Sequence, residues 1–296
     1  MFGYSDIYCV FCVLLLTNYQ AYMQYTINVR GRLLDLSQPL VMGILNATPD
    51  SFYSGSRKQT EAEIADRANQ IVAEGGRIID VGAFSTRPGG ADEVSLEEET
   101  ERLKHAMQIV RREQPDAIVS VDTYRPLVAR RCVEEFGADI INDVSEGGIT
   151  GIVGKEIHEE GDMFQTVAQL GVPYILMSVQ PTLEKMMQNF AAEVQRLRDL
   201  GAKDIILDPG YGFGKTLAQN YEIMNRAERL LELDLPVLVG VSRKSMIYKL
   251  IGCDPTTALN GTTVLHTMSL QKGASILRVH DVKEAFEAIR IVQQLG

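Results

Sequence analysis

Cysteine, net positive charge and long apolar runs are all scarce in this sequence, and each scarcity excludes a class of protein. The 296 residues include four cysteines, too few for a disulfide framework, so we expect a reducing, cytoplasmic setting. The formal net charge of −10 argues against a nucleic-acid partner, because phosphate backbones are bound by clustered basic residues. Any anionic substrate must therefore be bound by a few placed Arg and Lys residues.

The apolar run at residues 7–16 holds ten residues and is too short to span a bilayer. No Lys or Arg precedes it, so the charged start of a signal peptide is missing. Met23 is followed at once by a strand-and-turn pattern. We predict that Met23 is the natural start, that residues 1–22 are an extension outside the fold, and that residues 23–296 form one domain with no membrane association. A short membrane-associated segment at residues 1–22 is the alternative.

Short aliphatic runs alternate with longer amphipathic stretches from residue 40 onward. The predicted strands are residues 40–45, 78–81, 118–121, 139–141, 174–177, 204–207, 237–241 and 276–279. The predicted helices are residues 61–74, 96–112, 126–136, 163–170, 183–200, 220–233, 262–272 and 282–295. Eight strand–helix units of this length predict an α/β protein with a single (β/α)8 TIM-barrel domain. A doubly wound open sheet is the alternative, but no GxGxxG motif follows the first strand.

Polar side chains follow most of the predicted strands, where a barrel of this kind carries its reactive residues. One group combines hydrogen-bond acceptors, an amide that can both donate and accept, and a cation. It suits the edge of a flat, nitrogen-rich heterocycle such as a pterin. Its members are Asp122, Asn142, Asp208 and Lys244.

A second group combines cations, a hydroxyl and an amide, and suits a diphosphate. Its members are Asn46, Thr86, Arg87, Arg278 and His280. The amide oxygen of Asn46 is a ligand type that a hard cation such as Mg²⁺ accepts. The glycine-rich segment at residues 210–215 lacks the Walker spacing, so a nucleotide phosphate loop is excluded. The sequence therefore predicts a pterin-like pocket beside a diphosphate pocket.

Several of these motifs together resemble the dihydropteroate synthase family, over a span from about residue 24 to the C-terminus. They are residues 42–52, residues 80–89 with Ser-Thr-Arg-Pro-Gly, residues 208–215, Ser-Arg-Lys-Ser at 242–245 and Arg-Val-His-Asp at 278–281. The resemblance implies a TIM barrel that forms a homodimer. It also implies Mg²⁺-dependent joining of 6-hydroxymethyl-7,8-dihydropterin diphosphate to p-aminobenzoate, with release of diphosphate and competition by sulfonamides.

The resemblance also implies roles for single residues. Catalysis would depend on Asp122, Lys244, Arg278 and His280. The pterin would contact Asp122, Asn142, Met177, Asp208, Lys244 and Arg278. The diphosphate would contact Asn46, Thr86, Arg87, Arg278 and His280, with Asn46 on the metal. The p-aminobenzoate site would include Phe52, Thr86, Pro88, Phe213 and Ser245. The implied mechanism is dissociative, with diphosphate leaving before the aryl amine attacks.

The chain departs from the family pattern at three places. Phe84 stands where the family often has Glu, Ser178-Val179-Gln180 follows a strand that the family usually continues as Met-His-Met, and residues 146–161 form a longer segment. These changes leave a non-catalytic pterin-binding paralogue as the alternative function. A corrinoid-linked methyltetrahydrofolate methyltransferase on a related barrel ranks third, because it does not need Ser-Thr-Arg-Pro-Gly or Arg-Val-His.

Overall fold

The computed structural model describes residues 25–47, 57–83, 94–147 and 162–295, and their architecture is a (β/α)8 barrel. Eight parallel strands form its wall: β3 (Leu40–Asn46), β4 (Ile78–Gly82), β5 (Ile118–Asp122), β6 (Ile140–Asp143), β7 (Tyr174–Met177), β8 (Ile205–Asp208), β9 (Leu238–Val239) and β10 (Ile276–Val279). They lie in the order β8-β7-β6-β5-β4-β3-β10-β9. A parallel bridge between Leu207 and Val237 joins the two ends, so the predicted barrel is confirmed.

The helices between the strands cover the outside of the barrel. They are α1 (Arg57–Ala73), α2 (Leu96–Glu113), α3 (Pro126–Glu134), α4 (Met163–Leu170), α5 (Leu183–Asp199), α6 (Leu217–Asn225), α7 (Ser245–Ile251), α8 (Leu259–Gln271) and α9 (Val282–Val292), with a 3-10 helix at Ala227–Leu233. None of the helices in the described ranges is long and apolar enough to cross a membrane.

Two helical segments differ from the sequence prediction in more than the position of their ends, which elsewhere shift by up to four residues. The predicted helix at 220–233 begins earlier, because Thr216 and Gln219 form a capping box, and it breaks at Arg226 into the 3-10 segment. Helix α7 was not predicted, because its seven residues are too few to show a helical period.

An antiparallel hairpin precedes the barrel and closes its N-terminal end. It consists of β1 (Thr26–Val29) and β2 (Arg32–Asp35). Ile27, Val29 and Leu36 pack with the interior residues of the barrel strands. The strand-and-turn pattern after Met23 is therefore a plug for the barrel. Residues 1–22 lie outside the described residues, so their place outside the fold stays a prediction.

The strands repeat one pattern that separates an apolar layer from a polar layer inside the barrel. Because side chains alternate along a strand, residues two apart face the same side. The interior apolar cluster contains Ile78, Ile140, Ile206 and Ile276, and two residues after each of them comes a polar side chain. Those polar residues are Asp80, Asn142, Asp208 and Arg278. The period of the strands thus brings four polar side chains to one level at the C-terminal end of the barrel.

Candidate active site

Arg278 is the centre of the polar layer. Its Nε donates to Asp80 Oδ2 at 2.6 Å, and its Nη2 donates to Asp122 Oδ2 at 2.6 Å. Asn142 Nδ2 donates to Asp80 Oδ2 at 3.2 Å. Side chains from β10, β4, β5 and β6 therefore form one network across the barrel interior, and its geometry fixes the plane of the guanidinium.

Two acceptors of this network face the interior without a protein donor. Among the described residues, Asp80 Oδ1 and Asn142 Oδ1 are buried and have no hydrogen-bond partner. A buried acceptor without a donor is unfavourable by about 1–3 kcal/mol. The pair therefore suits a ligand that presents several N–H groups in one plane.

The charges of the network are coupled. Burial raises the pKa of Asp122 to about 7; the positive charge of Arg278 acts in the opposite direction, and the negative charge of Asp80 adds to the rise. Burial alone lowers the pKa of Arg278, but the carboxylates of Asp80 and Asp122 reverse that effect and raise it. Arg278 therefore stays protonated. The site therefore holds one permanent cation, the Arg278 guanidinium, hydrogen-bonded to Asp80 and Asp122.

Asp208 and Lys244 occupy the neighbouring part of the rim. Asp208 Oδ1 accepts from the Gly210 N–H at 2.8 Å, and Lys244 Nζ donates to the Tyr211 carbonyl at 2.6 Å. The Lys244 ammonium also lies 4.6 Å from the centre of the Phe213 ring, within cation–π range. Burial lowers the pKa of Lys244 to about 8, against the attraction of Asp208.

Glycines at the ends of two strands bring the two parts of the site close together. A Cβ added at Gly240 would lie 3.8 Å from Lys244 Nζ and 3.8 Å from Arg278 Cβ. A Cβ added at Gly82 would lie 3.8 Å from Asn46 Oδ1 and 3.5 Å from Asp122 Cβ. Lys244 thus borders Arg278 and Asn46 borders Asp122, on one continuous surface.

His280 is oriented by its own backbone and by Ser242. Ser242 Oγ accepts from the His280 backbone N–H at 3.1 Å and lies 3.0 Å from Nδ1. When the hydroxyl donates to Nδ1, the ring proton is on Nε2 and can be donated to an anion. Arg67 Nη2 holds the His280 carbonyl at 2.6 Å. The imidazole therefore has a fixed orientation.

Arg243 connects the tips of β9 and β10 without entering the site. Its guanidinium binds Asp281 through two hydrogen bonds of 2.8 and 2.7 Å, and it donates to the carbonyls of Pro255 and Thr256. Its backbone has φ 54°, which is uncommon outside glycine. This turn places Lys244 next to Gly240 in the interior.

The structure brings most of the predicted site residues to the same end of the barrel. Asn142 and Arg278 both donate to Asp80, and Arg278 also donates to Asp122. Met177 lies beside Asp208 in the register of β7 and β8, and Ser245 begins α7 directly after Lys244. Phe52, Thr86, Arg87 and Pro88 lie outside the described residues, as does Phe84, so their predicted roles stay predictions.

Sequence reasoning missed three residues of this region. Asp80 was noted only as the start of a motif, although its position two residues after interior Ile78 was a usable signal. Ser242 was part of a motif but had no role. Glu146, buried below the loop after β7, had no signal in the sequence.

Comparisons with known proteins show the family of the chain. The family described as pterin binding enzyme matches residues 42–280. The dihydropteroate synthase of Escherichia coli K12 is 38% identical over 279 residues, which cover 89% of this chain and 94% of the relative.

Two solved structures show the same architecture. A Xanthomonas albilineans dihydropteroate synthase with 4-aminobenzoic acid has a TM-score of 0.80 and 32% identity, covering 92% of this chain and 98% of its own. A Yersinia pestis dihydropteroate synthase with a sulfonamide drug complex has a TM-score of 0.79 and 34% identity, also covering 92% of this chain and 98% of its own. Because the family match and these relatives extend over most of the chain, the chain belongs to the dihydropteroate synthases of the pterin binding enzyme family.

Proposed function

We propose that this chain joins 6-hydroxymethyl-7,8-dihydropterin diphosphate to p-aminobenzoate, giving 7,8-dihydropteroate and diphosphate. The observation that carries the proposal is the Asp80–Arg278–Asp122 network inside the barrel, with Asn142, Asp208 and Lys244 around it. The enzyme is a transferase of folate biosynthesis.

The pterin half of the site is formed by acceptors and one amide. Asp80 and Asn142 offer buried oxygens without protein donors in the part of the chain that the structure describes, and Asp208 adds a third acceptor. A dihydropterin carries its ring N–H and amino donors along one edge, so the two surfaces are complementary. Arg278 lies flat between two carboxylates and can stack on the ring. Met177 supplies an apolar neighbour beside Asp208.

The diphosphate half is formed by Asn46, Arg278 and His280, together with Thr86 and Arg87 by resemblance. Among the described residues, no group of three or more His, Cys, Asp or Glu side chains could hold a metal ion. The donor set fits Mg²⁺ only as an ion that arrives with the diphosphate, because Mg²⁺ keeps waters and takes few protein ligands in phosphate sites. We propose Asn46 as that ligand; bound Mg²⁺ would neutralise negative charge on the diphosphate.

The reaction begins with cleavage of the bond between the pterin methylene carbon and the diphosphate oxygen. Arg278 and the Nε2–H of His280 stabilise the charge that develops on the leaving oxygens, while the Asp122 carboxylate stabilises the positive methylene carbon. The p-aminobenzoate nitrogen then attacks that carbon, forms the new C–N bond and releases a proton. No covalent nucleophile is required.

Diphosphate release by the purified chain tests this function. With Mg²⁺ present, release is expected only when dihydropterin diphosphate and p-aminobenzoate are both supplied, and a sulfonamide should compete with p-aminobenzoate. Pterin binding without release would instead support the non-catalytic paralogue. Methyl transfer from methyltetrahydrofolate to a corrinoid would support the third alternative.

Removing the Asn46 carboxamide is expected to raise the Mg²⁺ concentration for half-maximal turnover by about tenfold, because one oxygen ligand is lost. Calorimetric titration of the dihydropterin diphosphate into Asn46→Ala should show the same shift in its Mg²⁺ dependence. Asn28→Ala, at the opposite end of the barrel, is the matched control. Equal Mg²⁺ requirements in both variants would exclude Asn46 as the ligand.

We also propose a homodimer through an apolar patch on α7 and α8. The patch consists of Leu250, Ile251, Val264 and Met268, which are 56%, 55%, 52% and 38% exposed. A Cβ added at Gly261 would lie 2.4 Å from Ile247 and 3.6 Å from Ile251, so the two helices are in close contact and the patch is continuous. Exposed apolar side chains in such a group are typical of an interface.

A charge inside this patch is expected to separate the dimer. Val264→Asp should lower the mass measured by light scattering from twice 32.8 kDa to 32.8 kDa, because burying an unpaired carboxylate opposes association. Leu33→Asp, on the exposed side of the hairpin, should leave the mass unchanged. A monomeric wild type would contradict the proposal.

The composition supports a cytoplasmic enzyme with small-molecule substrates. Cys132 is buried and Cys253 is partly buried, and both are free thiols. The sequence pI of about 5.0 argues against a nucleic-acid partner, because such partners are bound by clustered Lys and Arg residues.

A further inference from the structure

The loop after β7 departs from the family pattern, and a single carboxylate holds it. Glu146 Oε1 accepts from Ser178 Oγ at 2.8 Å and from the Val179 N–H at 2.9 Å, and Gln180 Nε2 donates to Oε2 at 3.4 Å. All three residues at the changed positions thus contact the same side chain. Glu146 itself begins the longer segment at residues 146–161.

The backbone of Glu146 is strained in order to make these contacts. Its φ is 52°, a left-handed conformation that is unfavourable for a non-glycine residue. The turn is built around Asp143, whose carboxylate accepts from the N–H groups of Ser145 and Gly147, both at 2.8 Å. Glu146 is 1% exposed. A buried, strained glutamate is retained only where its hydrogen bonds offset the cost.

The loop held by Glu146 packs on the next loop without space for side chains. A Cβ added at Gly210 would lie 2.2 Å from the Ser178 carbonyl oxygen, and one at Gly214 would lie 2.9 Å from that of Val179. Both glycines also have positive φ, so glycine is required at both positions for two reasons, the lack of space and the backbone conformation. The loop after β7 therefore sets the path of residues 210–214.

Lys215 joins the same two loops from the other side. Its Nζ donates to the carbonyls of Ser178, Gly210 and Phe213 at 2.8, 3.0 and 3.0 Å. Burial lowers its pKa to about 8, and the negative charges of Asp208 and Glu146 act in the opposite direction. The contacts run from Glu146 through Ser178 and Lys215 to Phe213, whose ring lies under the Lys244 ammonium.

We propose that Glu146 is a positioning residue for the second substrate. It fixes the loop after β7, that loop fixes residues 210–215, and Phe213 is thereby held in the wall of the aryl amine site. The inference rests on the proposed function for the identity of that substrate.

Glu146→Gly separates positioning from stability, because glycine relieves the left-handed backbone while it removes every acceptor. We expect the KM for p-aminobenzoate to rise by about tenfold, while kcat and the KM for the pterin substrate stay within about twofold. Glu146→Gln keeps one oxygen for Ser178 and Val179 and should restore the wild-type KM. Asp234→Gly is the matched control, since Asp234 is exposed and also has φ 52°. An unchanged KM in Glu146→Gly, or an equal change in Asp234→Gly, would overturn the proposal.

Hydrogen exchange gives a second readout that does not depend on turnover. Peptides that cover residues 210–215 should exchange at least about fivefold faster in Glu146→Gly than in the wild type, and at the wild-type rate in Glu146→Gln and Asp234→Gly. Unchanged exchange in Glu146→Gly would refute the coupling between the loops. If the wild type released no diphosphate, the proposed function would fail while the exchange experiment still decided this coupling.

Discussion

Arg278→Ala is expected to lower kcat/KM by about 1,000-fold, at the upper end of what one transition-state donor contributes. The guanidinium links Asp80 and Asp122 at 2.6 Å each, so its removal affects both halves of the site. The diphosphate loses a cation, and the carboxylates of Asp80 and Asp122 then repel each other beside the pterin. Steady-state kinetics in which each substrate is varied while the other is saturating would measure the loss.

The same substitution is expected to destabilise the fold by about 3 kcal/mol, since the buried Asp80 and the partly buried Asp122 both lose their partner. Asp80→Asn combined with Arg278→Ala should recover part of that stability but none of the turnover, which separates the two effects. Arg111→Ala is the matched control, because Arg111 binds the buried carboxylate of Asp139 at 2.8 Å at the N-terminal end of the barrel. It should cost stability and leave the turnover of folded enzyme unchanged. Near wild-type turnover in Arg278→Ala would remove Arg278 from the mechanism.

The barrel could be predicted from the sequence because its strands combine a short apolar run with a polar tip. Ile206 and Asp208 show the rule: the strand period places both in the interior, one in the apolar layer and one at the site. The same rule applied to Ile78 identifies Asp80, which an inspection of strand ends alone passes over. Residues that the strand period orients are therefore predictable.

Adjacent polar residues at one strand end are harder to separate. Asn142 and Asp143 both follow β6 in the sequence, yet only Asn142 faces the interior. Asp143 turns outward and accepts hydrogen bonds from Tyr174 Oη and the Gly147 N–H. Glu146 depends on a left-handed turn that the sequence does not signal, since nothing marks a glutamate for positive φ. Loop residues of this kind are set by tertiary contacts, which a single sequence does not contain.

Lys244→Met is the second substitution with a large expected effect, a loss of about 100-fold or more in kcat/KM for the pterin substrate. Methionine keeps most of the side-chain volume, so the Phe213 ring retains an apolar neighbour while the charge beside Arg278 and Asp208 is lost. Lys272→Met removes a partly exposed lysine that pairs with Glu228 at 2.7 Å, and it should change turnover by less than twofold. A comparable loss in both variants would indicate a general effect of charge.

The pH dependence of kcat/KM identifies the role of Lys244 more specifically than the loss of rate in Lys244→Met does. Burial lowers the pKa of Lys244 to about 8, so the ammonium is present below that pH and is lost as the pH rises through it. We expect kcat/KM of the wild type to fall about tenfold per pH unit above 8, since this parameter reports the free enzyme. Lys215 also has a pKa lowered to about 8, so two variants are needed to identify the lysine whose titration causes the fall. In Lys244→Met, the fall of kcat/KM at alkaline pH should disappear. In Lys215→Met it should remain, because the Lys215 ammonium binds backbone carbonyls rather than substrate. The reverse result would assign the titration to Lys215.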